Sequence, residues 1–348
     1  GAIATTRRDR LGWLAAALVV ELISVTWVCS LYHVFFQPLP SVLAVGVSLA
    51  AAFAFLDLAR RWAARTPAKV FADRVSDEQI AKISSAETPV KLAPRASEVT
   101  AVVVDLAYKH DLADEYEPAV FAALTERFIA HATDTFLKAG AYIESAAGEG
   151  VVAIFGFPVE NPQHAEQATR EAMGLVGSIV DLPESARENG ATSVGIHAGV
   201  SSGRMIIAPL SADGAVLTTG EPVELARRFC IANRFYGSRV LIGPRTFELA
   251  SKTLVARPID FLSGVDVRQR HEIYEPISLI VDASPDELNR RDAFWNGVVL
   301  YREKRWAEAY AQFQQARRPD DADDAPLQLY LRRLEPLALH LTSSPLDE

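Results

Sequence analysis

The chain has 348 residues, of which 49% are hydrophobic and 23% are charged, so it is long enough to bury at least one full-sized core and is expected to contain two or three parts. Its formal net charge of −9, with no basic face in the globular part, excludes a general nucleic-acid-binding protein, because phosphate contacts need Lys and Arg. Two cysteines, Cys29 and Cys230, are too few and too far apart for a disulfide framework or a thiolate metal site.

Two apolar runs near the N-terminus predict a transmembrane helical hairpin over residues 11–56. The first run, 11–36, is long enough to cross a hydrocarbon layer of ~30 Å with some tilt, and the second, 41–56, is near the lower limit. Basic residues lie in the tail 1–10 and again after the second run, so the positive-inside rule places both ends in the cytoplasm. The sequence therefore predicts a multi-pass protein of the inner (plasma) membrane with a cytoplasmic globular part. A cleaved signal peptide is disfavoured because the second run follows at once.

Glu21 lies near the middle of the first apolar run. An ionised carboxylate at that depth costs a few kcal/mol, so the side chain is expected to face protein. One interpretation is a helix–helix contact, in the same assembly or with another chain. The alternative is a protonated Glu tolerated by the helical bundle.

After the apolar runs, residues 57–97 predict a linker, because charged, Ala-rich and Pro-containing segments alternate there and suit a short helix and an extended connector rather than a core. Beyond the linker, Val- and Ile-rich runs predict strands, and longer amphipathic patterns predict helices. The predicted strands are 99–104, 142–147, 151–157, 193–200, 205–210 and 240–243, and the predicted helices are 117–138, 165–180 and 222–232. This order predicts an α+β domain over 98–283, with helices on one face of the sheet. The Ser201-Ser202-Gly203 run predicts an ordinary hairpin turn, and His197 is interpreted as a structural strand residue.

The segment 284–348 is predicted to be helical. Its apolar residues form two stripes: Trp295, Leu300, Tyr301, Trp306, Ala309 and Phe313. The pattern resembles one degenerate tetratricopeptide-type helix pair, followed by a further helix after an acidic loop. Because a single repeat cannot bury its own face, we expect it to dock on the rest of this chain or on a partner.

Six sequence motifs follow one another between about residue 70 and residue 276. They are FADRVSDEQIAKI at 71–83, EVTAVVVDLAYKH at 98–110, GAYIESAAGEGVVAIFGFP at 140–158, HAEQATREAM at 164–173, VGIHAGVSSGRMI at 194–206 and VLTTGEPVELARRFCIANRFYGSRVL at 216–241. Together they resemble the class III adenylate/guanylate cyclase homology domain, in the membrane-anchored, CHASE2-type bacterial architecture. The resemblance implies a ferredoxin-like α+β fold. It also implies a homodimer or a heteromeric membrane-protein partner, since sites of this family form between two domains.

The resemblance also assigns residues to the metal and phosphate sites of the family. The first metal-binding aspartate falls on Asp105 and the second on Glu149, whose side chain is one carbon longer. The arginine that stabilises the transferring phosphate falls on Arg228, and the neutral Asn of the pattern VNxAxR falls on Glu224. Arg268 takes the place of a phosphate-binding Lys only if a gap is allowed. Mg or Mn is the cofactor implied for an active member, and no cofactor is expected otherwise.

Several of these motifs are degenerate. The purine-selecting Lys falls on Ser145 and its usual partner on Leu217, so no base-reading pair is expected. The phosphate-wrapping pattern DIxGFT reads DLAYKH here, with Tyr108 at the Gly position. Near the transferring phosphate, the Glu224 carboxylate would cost up to ~4 kcal/mol at ~4 Å with an effective dielectric of ~20. Alternatively, Glu224 and Arg228 form an ion pair one helical turn apart.

Two functional hypotheses follow from these residues. The degenerate motifs favour a membrane-anchored cyclase-like protein without turnover, acting as a regulatory or assembly module. The alternative is an active cyclase that converts a nucleoside triphosphate to a cyclic nucleotide and pyrophosphate in intracellular signalling, using Asp105, Glu149 and Arg228, with an open base preference.

Overall fold

The computed structural model describes residues 20–21, 23–32, 46–48, 51, 54–55, 71, 74–85, 94–178, 180–181, 193–210, 215–263, 269–317 and 324–342. The chain divides into two units, Gly1–Trp62 and Ala63–Glu348. In the first unit, residues 20–21 and 23–32 are helical, and Glu21 is exposed. Within the described residues no helix combines the length and the apolar character that a membrane crossing requires. Most of the hairpin predicted over 11–56 lies outside the described residues, so both the hairpin and the contact of Glu21 stay predictions.

The second unit contains nine helices and ten strands among its described residues. The helices are α1 (Asp77–Ser85), α2 (Lys109–Glu115), α3 (Pro118–Lys138), α4 (His164–Gly177), α5 (Glu221–Tyr236), α6 (Pro244–Ala250), α7 (Pro285–Arg302), α8 (Trp306–Gln315) and α9 (Ala325–Thr342). The strands are β1 (Arg95–Leu106), β2 (Tyr142–Ala147), β3 (Gly150–Phe155), β4 (Val180–Asp181), β5 (Ser193–Val194), β6 (Ile196–Leu210), β7 (Ala215–Thr219), β8 (Val240–Ile242), β9 (Leu254–Ser263) and β10 (Arg270–Leu279).

Eight of the strands form one mixed sheet in the order β2-β3-β1-β6-β8-β10-β9, with β7 paired to β6. The pairs β2–β3, β3–β1 and β1–β6 are antiparallel, whereas β6 and β8 run parallel. With α3 between β1 and β2, and α4 after β3, the first four strands in this order form a ferredoxin-like βαββαβ unit. The α+β prediction is therefore confirmed.

Helices cover both faces of the sheet, so the prediction of helices on one face was wrong. Successive residues of a strand point to opposite faces, and residues 99–104 of β1 are all buried. Val102 and Val104 pack in the core that includes α3 and α4, whereas Ala101 and Val103 pack against Ala226 of α5 on the other side. A strand buried on both faces reads as a continuous apolar run, and periodicity alone cannot assign its covering layers.

The turn predicted at Ser201-Ser202-Gly203 was also wrong, because β6 runs unbroken through these residues and pairs with β1 from Leu106 to Arg95. Small residues are needed here because α5 packs directly on the strand. A Cβ on Gly199 would lie 2.0 Å from the Ala226 carbonyl oxygen and 2.4 Å from the Cys230 nitrogen, and one on Gly203 would lie 3.1 Å from Pro222 Cγ.

The segment before β1 belongs to the core, although the sequence predicts a connector there. Phe71, Val75 and Ile83 are buried in one cluster with Tyr142 and Phe157. The helix expected in this segment is present as α1, and β1 already begins at Arg95. Charged and small residues alternate in this segment, so its few apolar residues form no periodic pattern from which burial against the sheet could be predicted.

The C-terminal helices dock on their own chain. Phe294, Val298 and Phe313 share a buried cluster with Phe229 of α5, Ile259 of β9 and Ile273 of β10. The Tyr330 hydroxyl of α9 donates a hydrogen bond of 2.6 Å to the Ile259 carbonyl. Helical structure and docking on this chain are thus confirmed, while the likeness to a tetratricopeptide repeat stays a prediction.

Candidate functional site

The candidate site lies where β1 ends beside the turn between β2 and β3. Asp105 is on β1, and Glu149 is in the turn, directly before Gly150. Gly150 has φ +91°, and a Cβ there would lie 2.3 Å from the Val104 carbonyl oxygen and 3.3 Å from Asp105 Cβ. Only glycine tolerates both the left-handed backbone and this close approach. The turn is therefore held against Asp105, and the structure brings the two predicted metal-binding carboxylates to one place.

Lys109 lies between these two segments. Its ammonium donates to Asp105 Oδ2 at 3.2 Å and also to the carbonyl oxygen of Gly148 in the turn. The other oxygen of Asp105, Oδ1, accepts from the Leu106 amide at 2.9 Å. The side chains of Lys109 and Asp105 are only 16% and 27% exposed, so solvent screens their attraction less than that of a surface pair.

The electrostatics of Asp105 reflect its crowded surroundings. Burial raises the pKa of Asp105, the Lys109 ammonium and the Leu106 amide lower it in part, and the charge of Glu149 raises it again. The Lys109 ammonium is the cation in direct contact with the Asp105 carboxylate.

Arg227 and Arg228 follow each other on α5 but contact different parts of the molecule. The Arg227 guanidinium donates to the Glu149 carbonyl oxygen at 3.4 Å, whereas that of Arg228 donates to the Ser263 carbonyl oxygen, at the end of β9, at 3.3 Å. Glu224 is exposed on α5. The structure therefore places Arg227, which sequence reasoning missed, beside the turn of Glu149. The only sequence signal was its position next to Arg228. The Glu224–Arg228 pair stays a prediction.

The two predicted base positions lie on opposite sides of the sheet. Ser145 is on β2, and Leu217 is on β7, where its backbone pairs with Ala208 of β6. Strands β3, β1 and β6 lie between them, so four strand spacings of about 4.8 Å separate them by roughly 19 Å. A single copy of the chain does not bring these residues to one base. Arg268, the predicted phosphate residue, lies outside the described residues.

Tyr108, at the start of α2, has a left-handed backbone with φ 56° and ψ 33°. A side chain is disfavoured in this conformation and glycine is not, which agrees with the Gly of the family pattern at this position. The Tyr108 ring lies edge-on to His197, 5.6 Å between centroids, and the Arg234 guanidinium is 5.8 Å from its centre. The loop thus combines a left-handed backbone at Tyr108 with an exposed aromatic ring. His197 is a buried strand residue, as expected.

A divalent metal, implied by the family resemblance, does not fit the residues present. Mg²⁺ and Mn²⁺ prefer carboxylate and carbonyl oxygens, and here the ammonium of Lys109 already binds both Asp105 and the Gly148 carbonyl. Across the part of the chain that the structure describes, no three His, Cys, Asp or Glu residues converge to hold a metal. Glu149 is exposed and the described carboxylates at this place number two.

The known proteins to which the chain is similar are adenylyl and guanylyl cyclases. Over 185 residues the chain is 23% identical to adenylate cyclase 1 of Rhizobium meliloti (strain 1021), a match that covers 53% of this chain and 28% of that protein. It is similar to the adenylyl cyclase CyaB from P. aeruginosa, with 21% identity, coverage of 55% of this chain and 99% of that chain, and a TM-score of 0.46. It is also similar to the dimeric guanylyl cyclase domain of the RhoGC fusion protein from Blastocladiella emersonii, with 18% identity, 53% and 99% coverage, and a TM-score of 0.43. No protein-family model matches the chain.

Proposed function

We propose that this chain is a membrane-anchored class III nucleotidyl cyclase-like protein that acts as a regulatory or assembly module and does not turn over nucleotide by itself. The observation that carries the proposal is the charge balance at the candidate site. Asp105 and Glu149 stand where the family binds metal, but Lys109 contacts Asp105 and Arg227 contacts the backbone of Glu149. Phosphoryl transfer depends on positive charge positioned around the phosphates. Here the positive charges of Lys109 and Arg227 contact groups of the protein itself.

The nucleotide-handling positions support the same proposal. A Ser and a Leu stand where the family reads the purine, and Glu224 stands where it has a neutral Asn. A carboxylate about 4 Å from the reacting phosphate costs up to ~4 kcal/mol, which is about three decades in rate. Arg228 donates a hydrogen bond to the Ser263 carbonyl oxygen.

Exposed apolar side chains support the membrane anchor and the partner. Val20, Trp27 and Tyr32 are 62%, 66% and 75% exposed in the first unit, where a membrane would cover them. On α5, the helix that carries Arg227 and Arg228, Ile231 and Phe235 are 61% and 73% exposed. A second copy, or a heteromeric membrane-protein partner, would cover this helix face.

The second candidate function is an active enzyme in which two chains each supply half a site. It is favoured by the separation of Ser145 from Leu217, because a second chain, either another copy or a different protein, would be needed to complete one base site. In that case Asp105 and Glu149 of one chain would face Arg228 of another.

One experiment separates the two functions. The purified full chain in detergent, alone and with copurifying partners, is incubated with each ribonucleoside triphosphate and Mn²⁺, and products are separated by chromatography. We expect no cyclic nucleotide. Cyclic product that disappears in Asp105→Ala would overturn the proposal and establish the active enzyme.

A further inference from the structure

The candidate site contains a cation that belongs to the chain. We infer that the ammonium of Lys109 substitutes for a divalent metal ion at Asp105, so that the native chain binds no metal there and the site becomes a divalent-cation site only when this charge is removed. The inference rests on the proposed function, because it takes Asp105 as the counterpart of a metal-binding aspartate.

The first argument concerns the atoms that Lys109 contacts. Its Nζ binds one carboxylate oxygen of Asp105 and the carbonyl oxygen of Gly148, and these are the two oxygen types that Mg²⁺ and Mn²⁺ prefer. The donors come from two separate segments, the end of β1 and the β2–β3 turn, which Gly150 holds together. An ammonium that bridges both segments performs the neutralising and cross-linking role that a bound metal would perform.

The second argument concerns charge and space. A divalent ion bound to the same two oxygens would lie within a few ångströms of the ammonium, and like charges at that distance repel strongly in a partly buried site. Lys109 is 16% exposed and starts α2, so its stem has little room to withdraw. The Tyr108 backbone just before it is already confined to the left-handed region.

A neutral side chain of similar length provides the test. Lys109→Met retains the stem and removes the charge, which would leave the Asp105 carboxylate and the Gly148 carbonyl without the ammonium that binds both, beside the turn of Glu149. A metal held by these oxygens would complete its coordination with water, as Mg²⁺ and Mn²⁺ commonly do. We expect Lys109→Met to bind Mn²⁺ at least about tenfold more tightly than the native chain, a change of about 1.4 kcal/mol.

The chain offers a matched control in Asp134 and Lys138, another pair four residues apart, at 2.6 Å and largely exposed. Binding is measured with full-length protein in detergent, by the loss of the electron paramagnetic resonance signal of free Mn²⁺. Lys138→Met should leave the affinity for Mn²⁺ at the native value. Adding Asp105→Asn to Lys109→Met should abolish the gain, since the principal ligand is then neutral.

Two further measurements apply even if Lys109→Met does not fold. Lys109→Gln should show the same gain in affinity, and the native chain and Asp105→Asn should bind Mn²⁺ equally weakly. Native binding that is lost in Asp105→Asn would overturn the inference, as would folded Lys109 variants that gain no affinity over Lys138→Met. Failure of the inference is distinguishable from failure of the proposed function, because the proposed function is overturned by cyclic nucleotide formed by the native protein and the inference by Mn²⁺ binding.

Discussion

Arg257 and Asp324 join the sheet to the last helix through two parallel hydrogen bonds, Nη1 to Oδ2 at 2.6 Å and Nη2 to Oδ1 at 2.7 Å. Arg257 also binds Glu275, its cross-strand neighbour on β10, through Nε at 2.8 Å. All three side chains are at most 16% exposed. One buried guanidinium thus neutralises two carboxylates from different parts of the chain.

Replacing Arg257 with Leu should lower the free energy of unfolding by about 3–5 kcal/mol, because two buried carboxylates would lose their partner. Urea unfolding followed by circular dichroism measures the change. Arg245 provides the control, since it pairs with Glu98 and Glu248 but is 44% exposed. Arg245→Leu should cost less than about 1 kcal/mol, as surface pairs do. Equal losses in both variants would contradict the buried-pair account.

Replacing Gly199 with Ala tests the packing of α5 on β6. The added methyl group would lie 2.0 Å from the Ala226 carbonyl oxygen, so helix and strand would have to separate. We expect a loss of about 3 kcal/mol or more, in the upper range for overpacking. Gly195→Ala is the matched variant, because its Cβ would meet Ala107 Cβ at an ordinary 3.6 Å. A Gly199→Ala protein as stable as Gly195→Ala would show that α5 does not lie on this strand.

Tyr108 should tolerate glycine better than valine. Glycine relieves the left-handed backbone at φ 56°, although it loses the ring contacts with His197 and Arg234. Tyr108→Gly should therefore stay within about 1 kcal/mol of the native stability, whereas a β-branched side chain in this region should cost about 1–2 kcal/mol more. Thermal unfolding of the two variants gives the comparison. Equal melting temperatures would mean that the loop does not keep a left-handed residue here.

The stability of the chain should fall in mild acid because of His197. Burial, and then the Arg239 guanidinium, lower the pKa of His197 from 6.5 to about 4. A depressed histidine pKa means that the unfolded chain binds a proton at a higher pH than the folded chain does. The folded state is therefore fully stable above about pH 6.5 and loses stability as the pH falls toward 4.

His197→Gln, which carries no titrating ring, should show a shallower loss of unfolding free energy between pH 7 and 4 than the native chain, by roughly 2 kcal/mol. The measurement is urea unfolding at a series of pH values. His110→Gln, at an exposed position, controls for the loss of an imidazole as such. If the native chain and His197→Gln have the same pH profile, the ring is solvated in the folded state.

Sequence reasoning found the central strands because their Val- and Ile-rich runs are buried on both faces, as in residues 99–104 and 151–155. It missed β9 and β10, which carry Pro258 and Pro276 and have register shifts near both prolines. Proline inside a run argues against a strand, and the polar residues Arg257 and Glu275 mask the burial that their mutual pairing permits. Such strands are stabilised by tertiary contacts, and these cannot be predicted from the periodicity of apolar residues in the sequence.

The site was only partly predictable for a related reason. Asp105 and Glu149 could be assigned as one pair, and the structure brings them together. The roles of Lys109 and Arg227 could not be assigned, because they depend on which way a side chain points from a loop or a helix. One position along α5 separates an arginine beside Glu149 from one beside Ser263.

The hydroxyl of Tyr330 bonds to the backbone of Ile259, and the rings around it fill the space above β9 and β10. A fragment that stops before residue 284 would expose the apolar surface of β9 and β10 to solvent. The α+β domain and the C-terminal helices should therefore unfold as one cooperative unit, with a single calorimetric endotherm.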